Sequence, residues 1–269
     1  VGGTECGQNW IGYSIHHVPG PMMVVQPTTE LAKRWSKQRL RPMIEQSIVL
    51  QDLVREPRSR DSGNTVLCKE FPGGIIIITG ANSAAGLRSM PVEKLFCDEI
   101  DAYPVDVEEE GDPVSLAEKR TDNFFRKKKI FLPSTPTIKG FSRIETEYLA
   151  SDQQNYHVPC PFCNGMQKIT WSQIKWPKTP TGQYLPDQAS LACKYCKRMI
   201  EEYHKTSMLA KGDWIPETTC PSDVIGFKLP ALYSPLGWVS WGQIAREFLK
   251  DRKDPETFKT WGNTRLAEP

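Results

Sequence analysis

The sequence predicts an α/β fold built on a central parallel sheet, with a small metal-binding module inserted. Three observations point there. Short apolar runs alternate with helical patterns over residues 1–150, those runs are continuous rather than alternating, and two Cys-x-x-Cys pairs sit together in a later stretch. Continuous apolar strands are the ones buried on both faces, and strands alternating with helices assemble into parallel sheets.

The elements follow in order. A helix is expected from Glu5 to about Ile15. Met22–Gln26 is an apolar strand closed by Pro27. Thr28–Leu40 is helical, with Leu31, Trp35 and Leu40 near helical spacing and Thr28 or Thr29 as N-cap. Ile75–Thr79 is β-branched throughout and bracketed by glycines, the signature of a buried strand. Lys94–Cys97 is the next strand and runs into Asp98. Pro113–Phe125 has a helical pattern with proline in its first turn. Lys129–Leu132 is a fourth strand, ending at Pro133-Ser134-Thr135-Pro136. Sheets of this kind bind ligands at the carboxyl ends of their strands, which is where Asp98-Glu99 and Ser134-Thr135 fall. Residues 151–212 hold both cysteine pairs and no strong period, so they form the inserted module. Residues 213–269 carry Trp214, Trp238, Trp241 and Trp261, with a helix from Trp241 to Lys250.

Composition excludes little. A chain of 269 residues suggests about two domains and a core that needs no metal to fold. A net charge of +2 neither demands nor excludes a nucleic-acid partner. No apolar run approaches the ~20 residues that span a bilayer, and no signal peptide opens the chain. The compartment reads as reducing cytosol, where paired cysteines bind metal more often than they form disulfides. The chain opens at Val1 without Met and so reads as an excised fragment. Cys6, Cys68, Cys97 and Cys220 are given no function, since free cysteine often behaves as a small buried hydrophobe.

Five patterns can carry chemistry. Lys94-Leu-Phe-Cys-Asp-Glu99 is an apolar strand ending in Asp-Glu, the Walker B arrangement. There the aspartate holds magnesium, directly or through water, and the glutamate polarises the attacking water. A strand running into an acidic turn would look the same. Val1-Gly2-Gly3-Thr4 matches the end of a phosphate-binding loop, whose amides cradle phosphates at a helix N-terminus and whose hydroxyl binds magnesium. Gly3 stands where lysine is usual, and four residues also fit a loose terminus; the helix and strand that follow are in the expected order. Ser134-Thr135-Pro136-Thr137 fits the phosphate-sensing turn of helicase-like ATPases, or an ordinary turn. Arg88, ten residues before Asp98 in a glycine-bearing loop, fits an arginine finger or a solvated side chain.

The fifth pattern pairs Cys160-Pro-Phe-Cys163 with Cys193-Lys-Tyr-Cys196, the two separated by 29 intervening residues. Four thiolates on two knuckles suit tetrahedral zinc and leave no position open for catalysis. The rivals are two disulfides or a redox pair, though redox Cys-x-x-Cys opens a helix in a thioredoxin context that is not seen here. Lys168, Lys175, Lys178, Lys194, Lys197 and Arg198 tilt the region basic, compatible with phosphate contacts or with a solvated surface.

Taken together, VGGTE, PGPMMVVQPT, RSRDSGNT, FPGG, GANS, DEIDAYP, STPTIKG and CPFC, in that order, resemble the large terminase subunit of tailed bacteriophages, in its lambda-type branch. The resemblance runs through essentially the whole chain. It implies an additional-strand P-loop ATPase related to helicases, hydrolysing ATP with Mg2+ to drive double-stranded DNA into a procapsid. Residue by residue it implies Gly2, Gly3 and Thr4 at the end of the phosphate loop, with Thr4 the magnesium hydroxyl. Asp98 takes the Walker B position and Glu99 that of the catalytic carboxylate. Ser134 and Thr135, with Pro136, match the coupling motif. Arg88 matches the finger, acting on a neighbouring subunit. The implied partners are DNA, the small terminase subunit and the portal of the procapsid, with the chain self-associated into a ring there, in the host cytoplasm and off any membrane.

Two departures accompany the resemblance. In this branch the phosphate-loop lysine sits at the front of the loop, a position that would precede Val1, as would the adenine contacts. A nuclease domain would follow the linker near Pro269, so no nuclease residues are assigned. The expected organisation is an ATPase core over 1–150, a zinc-binding, ribbon-like insertion over 151–212 and a C-terminal ATPase segment over 213–269. The alternatives are a helicase-type nucleic-acid-dependent ATPase and a non-enzymatic zinc-ribbon DNA-binding or assembly module.

Overall fold

A fifteen-residue helix, α1 (Gly3–His17), opens the structure, a computed structural model that describes residues 2–54, 64–219 and 223–269. Val1, Cys220 and the Arg58–Gly63 part of the RSRDSGNT stretch lie outside the described residues. The described chain forms two compact units, 2–134 and 135–269.

In the first unit α1 buries Gly7, Ile11, Ser14 and Ile15, a stripe at three- and four-residue spacing. Strand β1 (Pro21–Gln26) follows, buried from Met22 onward. Helix α2 (Thr29–Trp35) is capped by Thr28, whose hydroxyl accepts from the Leu31 amide. It continues through a π turn, Ser36–Leu40, into α3 (Arg41–Gln46) and α4 (Ile48–Leu53). Then come β2 (Cys68–Phe71), β3 (Gly74–Gly80), the short α5 (Ala84–Leu87) and β4 (Lys94–Cys97). Helix α6 (Pro113–Glu118) gives way to a 3-10 turn, Lys119–Phe124, before β5 (Lys129–Phe131).

These strands form one sheet in the order β2-β3-β1-β4-β5. β1 pairs in parallel with β3 and β4, and β4 with β5. The expected parallel core is therefore present, with one addition: β2 pairs antiparallel to β3 at the edge. All four residues of β4 are buried. Phe96 of that strand packs beside Phe131 and Trp35, and Gly7 lets α1 rest on it, since a Cβ there would fall 2.2 Å from the Phe96 ring.

The second unit opens with α7 (Arg143–Leu149) and then β6 (Gln154–Pro159), β7 (Met166–Lys168), β8 (Ile174–Lys175), β9 (Ser190–Ala192) and β10 (Met199–Ile200). It continues with α8 (Lys205–Ala210), β11 (Asp213–Pro216), β12 (Phe227–Lys228), α9 (Trp241–Asp251) and α10 (Pro255–Trp261). β6 pairs with β7, β11 and β12, and β8, β9 and β10 form a separate antiparallel sheet. One apolar core runs from Val158 to Leu266 and includes Trp241, Trp261, Leu191 and two of the cysteines, Cys160 and Cys193. No helix among the described residues is long and apolar enough to cross a membrane.

Candidate functional site

In a parallel sheet every strand's carboxyl end lies on one rim, so the ends of β1 and β4 and the start of α1 come together. The Thr4 hydroxyl, in the first turn of α1, lies 3.0 Å from both Oδ1 and Oδ2 of Asp98. Gln26, the last residue of β1, donates from Nε2 to Asp98 Oδ2 at 3.2 Å. The Asp98 amide donates to Val25 O at 3.0 Å, which fixes the backbone of the carboxylate.

Asp98 is 3% exposed and forms no ion pair among the described residues. Burial raises its carboxyl above the usual aspartate range, against the bonds from Gln26 and Thr4, the charge of Arg39 and the Glu99 amide. A buried carboxylate with only neutral donors on it is costly to keep. Two hard oxygen groups, a carboxylate and a hydroxyl, are a donor set that suits Mg2+.

Glu99 is exposed and holds φ 55° and ψ 53°, a left-handed conformation unusual for a residue with a Cβ. Its amide donates to Pro133 O at 2.9 Å. Ser134 Oγ, three residues past β5, accepts from the Asp101 amide at 3.1 Å. The acidic turn and the Ser134 turn are thus tied to each other. Thr135 begins the second unit and is exposed. Gly2 caps α1 at φ 76°, the region where glycine is favoured. Gly3 has a steric reason of its own, because a Cβ there would lie 2.7 Å from the Cβ of Pro133. A lysine in the usual place would force the end of β5 aside.

Arg88 is not joined to this cluster. It follows α5, is half exposed and pairs with Glu110 at 2.7 Å. Gln26 was not singled out from sequence; its only signal was a polar residue closing an apolar strand. A cavity of about 590 Å3 lies on the same unit between α1 and β5, lined by Trp10, Tyr13, Lys129 and Phe131 among others, but includes neither Thr4 nor Asp98.

The second unit carries the cysteines. Cys160 and Cys163 fall in the turn between β6 and β7, and Cys193 and Cys196 in that between β9 and β10. The two turns repeat one geometry. Cys160 N donates to Gly165 O and Cys193 N to Arg198 O. Phe162 N and Tyr195 N each point at the first sulfur of their knuckle, at 3.4 Å. Asn164 and Lys197, one residue past each second cysteine, both take positive φ.

All four sulfurs lie within 4.8 Å of one another. Cys160–Cys196 and Cys163–Cys193 are each 3.8 Å apart, far beyond a disulfide bond. Four sulfurs held about 2.3 Å from one zinc in a tetrahedron stand about 3.8 Å apart. At Cys193 burial works against ionisation, but the amides of Cys196 and Tyr195 and the neighbouring thiols outweigh it and pull the thiol down to about 6. Buried Gln167 braces the cluster: its Nε2 reaches Cys193 Sγ at 3.7 Å and its Oε1 accepts from Lys194 N at 2.7 Å.

Residues 1–214 match the family described as phage terminase large subunit gpA, ATPase domain, and residues 224–269 match the terminase large subunit gpA endonuclease domain. The terminase large subunit of Enterobacteria phage P21 is 28% identical over 294 residues, covering 100% of this chain and 44% of that protein. That of Escherichia phage lambda is 27% identical over 278 residues, covering 95% and 42%. The chain thus spans under half the length of these curated relatives. Among solved structures, the large terminase ATPase domain of Thermus phage P74-26 aligns with a TM-score of 0.39 and 16% identity, over 56% of this chain and 61% of that one. With matches to both of its domain families, the chain belongs to the gpA family of phage terminase large subunits, residues 1–214 falling in its ATPase domain.

Proposed function

We propose that this chain is the motor part of a DNA-packaging terminase, coupling ATP hydrolysis to the movement of double-stranded DNA into a procapsid. The observation that carries the reading is the Thr4–Asp98 contact: a hydroxyl at a helix start on a buried carboxylate that forms no ion pair among the described residues. In this reading the sheet is the additional-strand P-loop type. The amides of Gly2, Gly3 and Thr4, at the positive end of α1, would face the nucleotide's phosphates. Thr4 and Asp98 would hold Mg2+, whose chemistry there is to offset charge on the β- and γ-phosphates.

The remaining steps belong to the chain's own side chains. Glu99 accepts a proton from the attacking water as the water's oxygen bonds to the γ-phosphorus. The bond from that phosphorus to the bridging oxygen breaks, leaving ADP and phosphate. Ser134 and Thr135 sense the change and pass it on; the Ser134–Asp101 bond supports this, because it ties that turn to the loop carrying Glu99. Arg88 is held by Glu110 here, and as a finger it would leave that pair to reach the nucleotide of a neighbouring subunit. The four cysteines would hold a structural Zn2+, supported by their 3.8 Å sulfur spacing.

The division into a core over 1–150, a zinc module over 151–212 and a segment over 213–269 is our reading, as are the small-subunit, portal and ring partners and the host cytoplasm as location. A helicase of the same fold is the competing activity. Translocation along intact duplex without strand separation, abolished by Asp98→Ala, supports the packaging motor; ATP-dependent unwinding of a duplex would replace it with the helicase.

A further inference from the structure

We propose that Gln26 is the positioning residue of the magnesium site: its carboxamide holds Asp98 in the orientation that accepts the metal. The inference rests on the magnesium reading of Thr4 and Asp98 and adds a residue to it. Gln26 is 6% exposed, closes β1, and donates from Nε2 to Asp98 Oδ2 at 3.2 Å. Its backbone is fixed against β3: β1 pairs through Gln26 with Gly80, and Gln26 O accepts from the amide of Ala81, the residue after that strand, at 2.8 Å. The side chain thus starts from a rigid strand end.

The two donors on Asp98 are not equivalent. Thr4 stands equidistant from both carboxylate oxygens, 3.0 Å from each, so its one hydroxyl proton does not choose between them. A hydroxyl that turns its oxygen toward a cation also gives up that bond. Gln26 reaches one oxygen only, and a carboxamide nitrogen is no metal ligand. Its bond therefore survives metal binding, satisfies Oδ2 and leaves Oδ1 to face the cation. Partners that orient ligating carboxylates in this way typically change metal affinity by about 10- to 100-fold when removed.

The test is Gln26→Met, which keeps length and apolar bulk and removes the donor. Binding of Mn2+, a visible substitute for Mg2+, is titrated directly in the whole protein with a non-hydrolysable ATP analogue present, alongside metal-free affinity for the analogue and a melting curve. The expected result is about tenfold weaker Mn2+ binding with metal-free nucleotide affinity unchanged. Gln26→Asn, which keeps the amide but shortens its reach, should weaken Mn2+ less and serves if the Met variant fails to fold. Unchanged Mn2+ affinity in either folded variant overturns the proposal and leaves Gln26 a packing residue. Asp98→Asn separates the two readings: if it binds Mn2+ as tightly as the parent, the magnesium site itself is misplaced and the Gln26 proposal falls with it.

Discussion

In the proposed reading the carboxylate rim and the cysteine cluster each take a metal, but the chain holds the two sites in opposite ways. The rim is hung on a finished scaffold. Asp98 sits at the end of a fully buried strand in a five-stranded sheet, and its geometry is held by the Val25 carbonyl, Thr4 and Gln26. The cysteines sit on the scaffold's weakest elements, turns between strands of two to six residues. Short strands bury little apolar surface on their own. The difference teaches that metal at the rim would serve chemistry while costing the apo fold, whereas metal at the knuckles would help make the fold.

Removing a ligand from each site should break the symmetry most visibly. Cys193→Ser should release one metal equivalent, measured by elemental analysis, and destabilise the second unit by ~3 kcal/mol in denaturant melts. Hydrogen exchange should quicken over residues 157–200 and stay unchanged in the sheet that holds Asp98. A protein that contains no metal, or a variant that keeps it, would remove this half of the contrast.

A smaller effect follows at Gly3. Gly3→Ala should cost about 1–3 kcal/mol, because its Cβ meets Pro133 at 2.7 Å and the end of β5 must move. A neutral result in thermal melts would show that the α1 start is not seated on Pro133.

The sign should reverse at Asp98. Asp98→Asn should stabilise the metal-free protein by about 1 kcal/mol near neutral pH, by removing an unpaired buried charge. The pH dependence has a fixed direction. Because the folded-state carboxyl is raised, its penalty is absent below the ordinary aspartate value of about 3.9 and grows as pH rises through the folded-state value. The gap between variant and parent should therefore open with rising pH and close on adding Mg2+ with nucleotide. A destabilised Asn variant would mean the rim is ordinary structure. Least of all, Glu110→Gln should change stability by under about 1 kcal/mol, since its pair with half-exposed Arg88 is screened by water.

Legibility in the sequence tracked the same contrast. Lys94–Cys97 and Ile75–Thr79 could be read because strands buried on both faces write themselves as apolar runs, and Thr28 because its hydroxyl caps the helix it precedes. Edge strand β2, Cys-Lys-Glu-Phe, escaped because it is short, mixed in polarity and held by an antiparallel partner. Strands β6 to β10 escaped because their placement follows from the knuckles and from a core shared with Trp241 and Trp261, far along the chain. Residues 224–269 match the endonuclease family, and no local residue pattern marks where the two family matches divide. At the rim, Thr4 and Asp98 came from motif spacing. Gln26 did not, because what brings it to Asp98 is the β1–β4 pairing, which no local pattern encodes.

The central claim is that the Asp98–Glu99 turn hydrolyses ATP, and Glu99→Gln tests it most directly. In the whole protein with Mg2+ and DNA, the variant should bind ATP like the parent and turn it over about 10²- to 10⁴-fold more slowly, the range expected for losing a general base. Turnover within twofold of the parent would contradict the account.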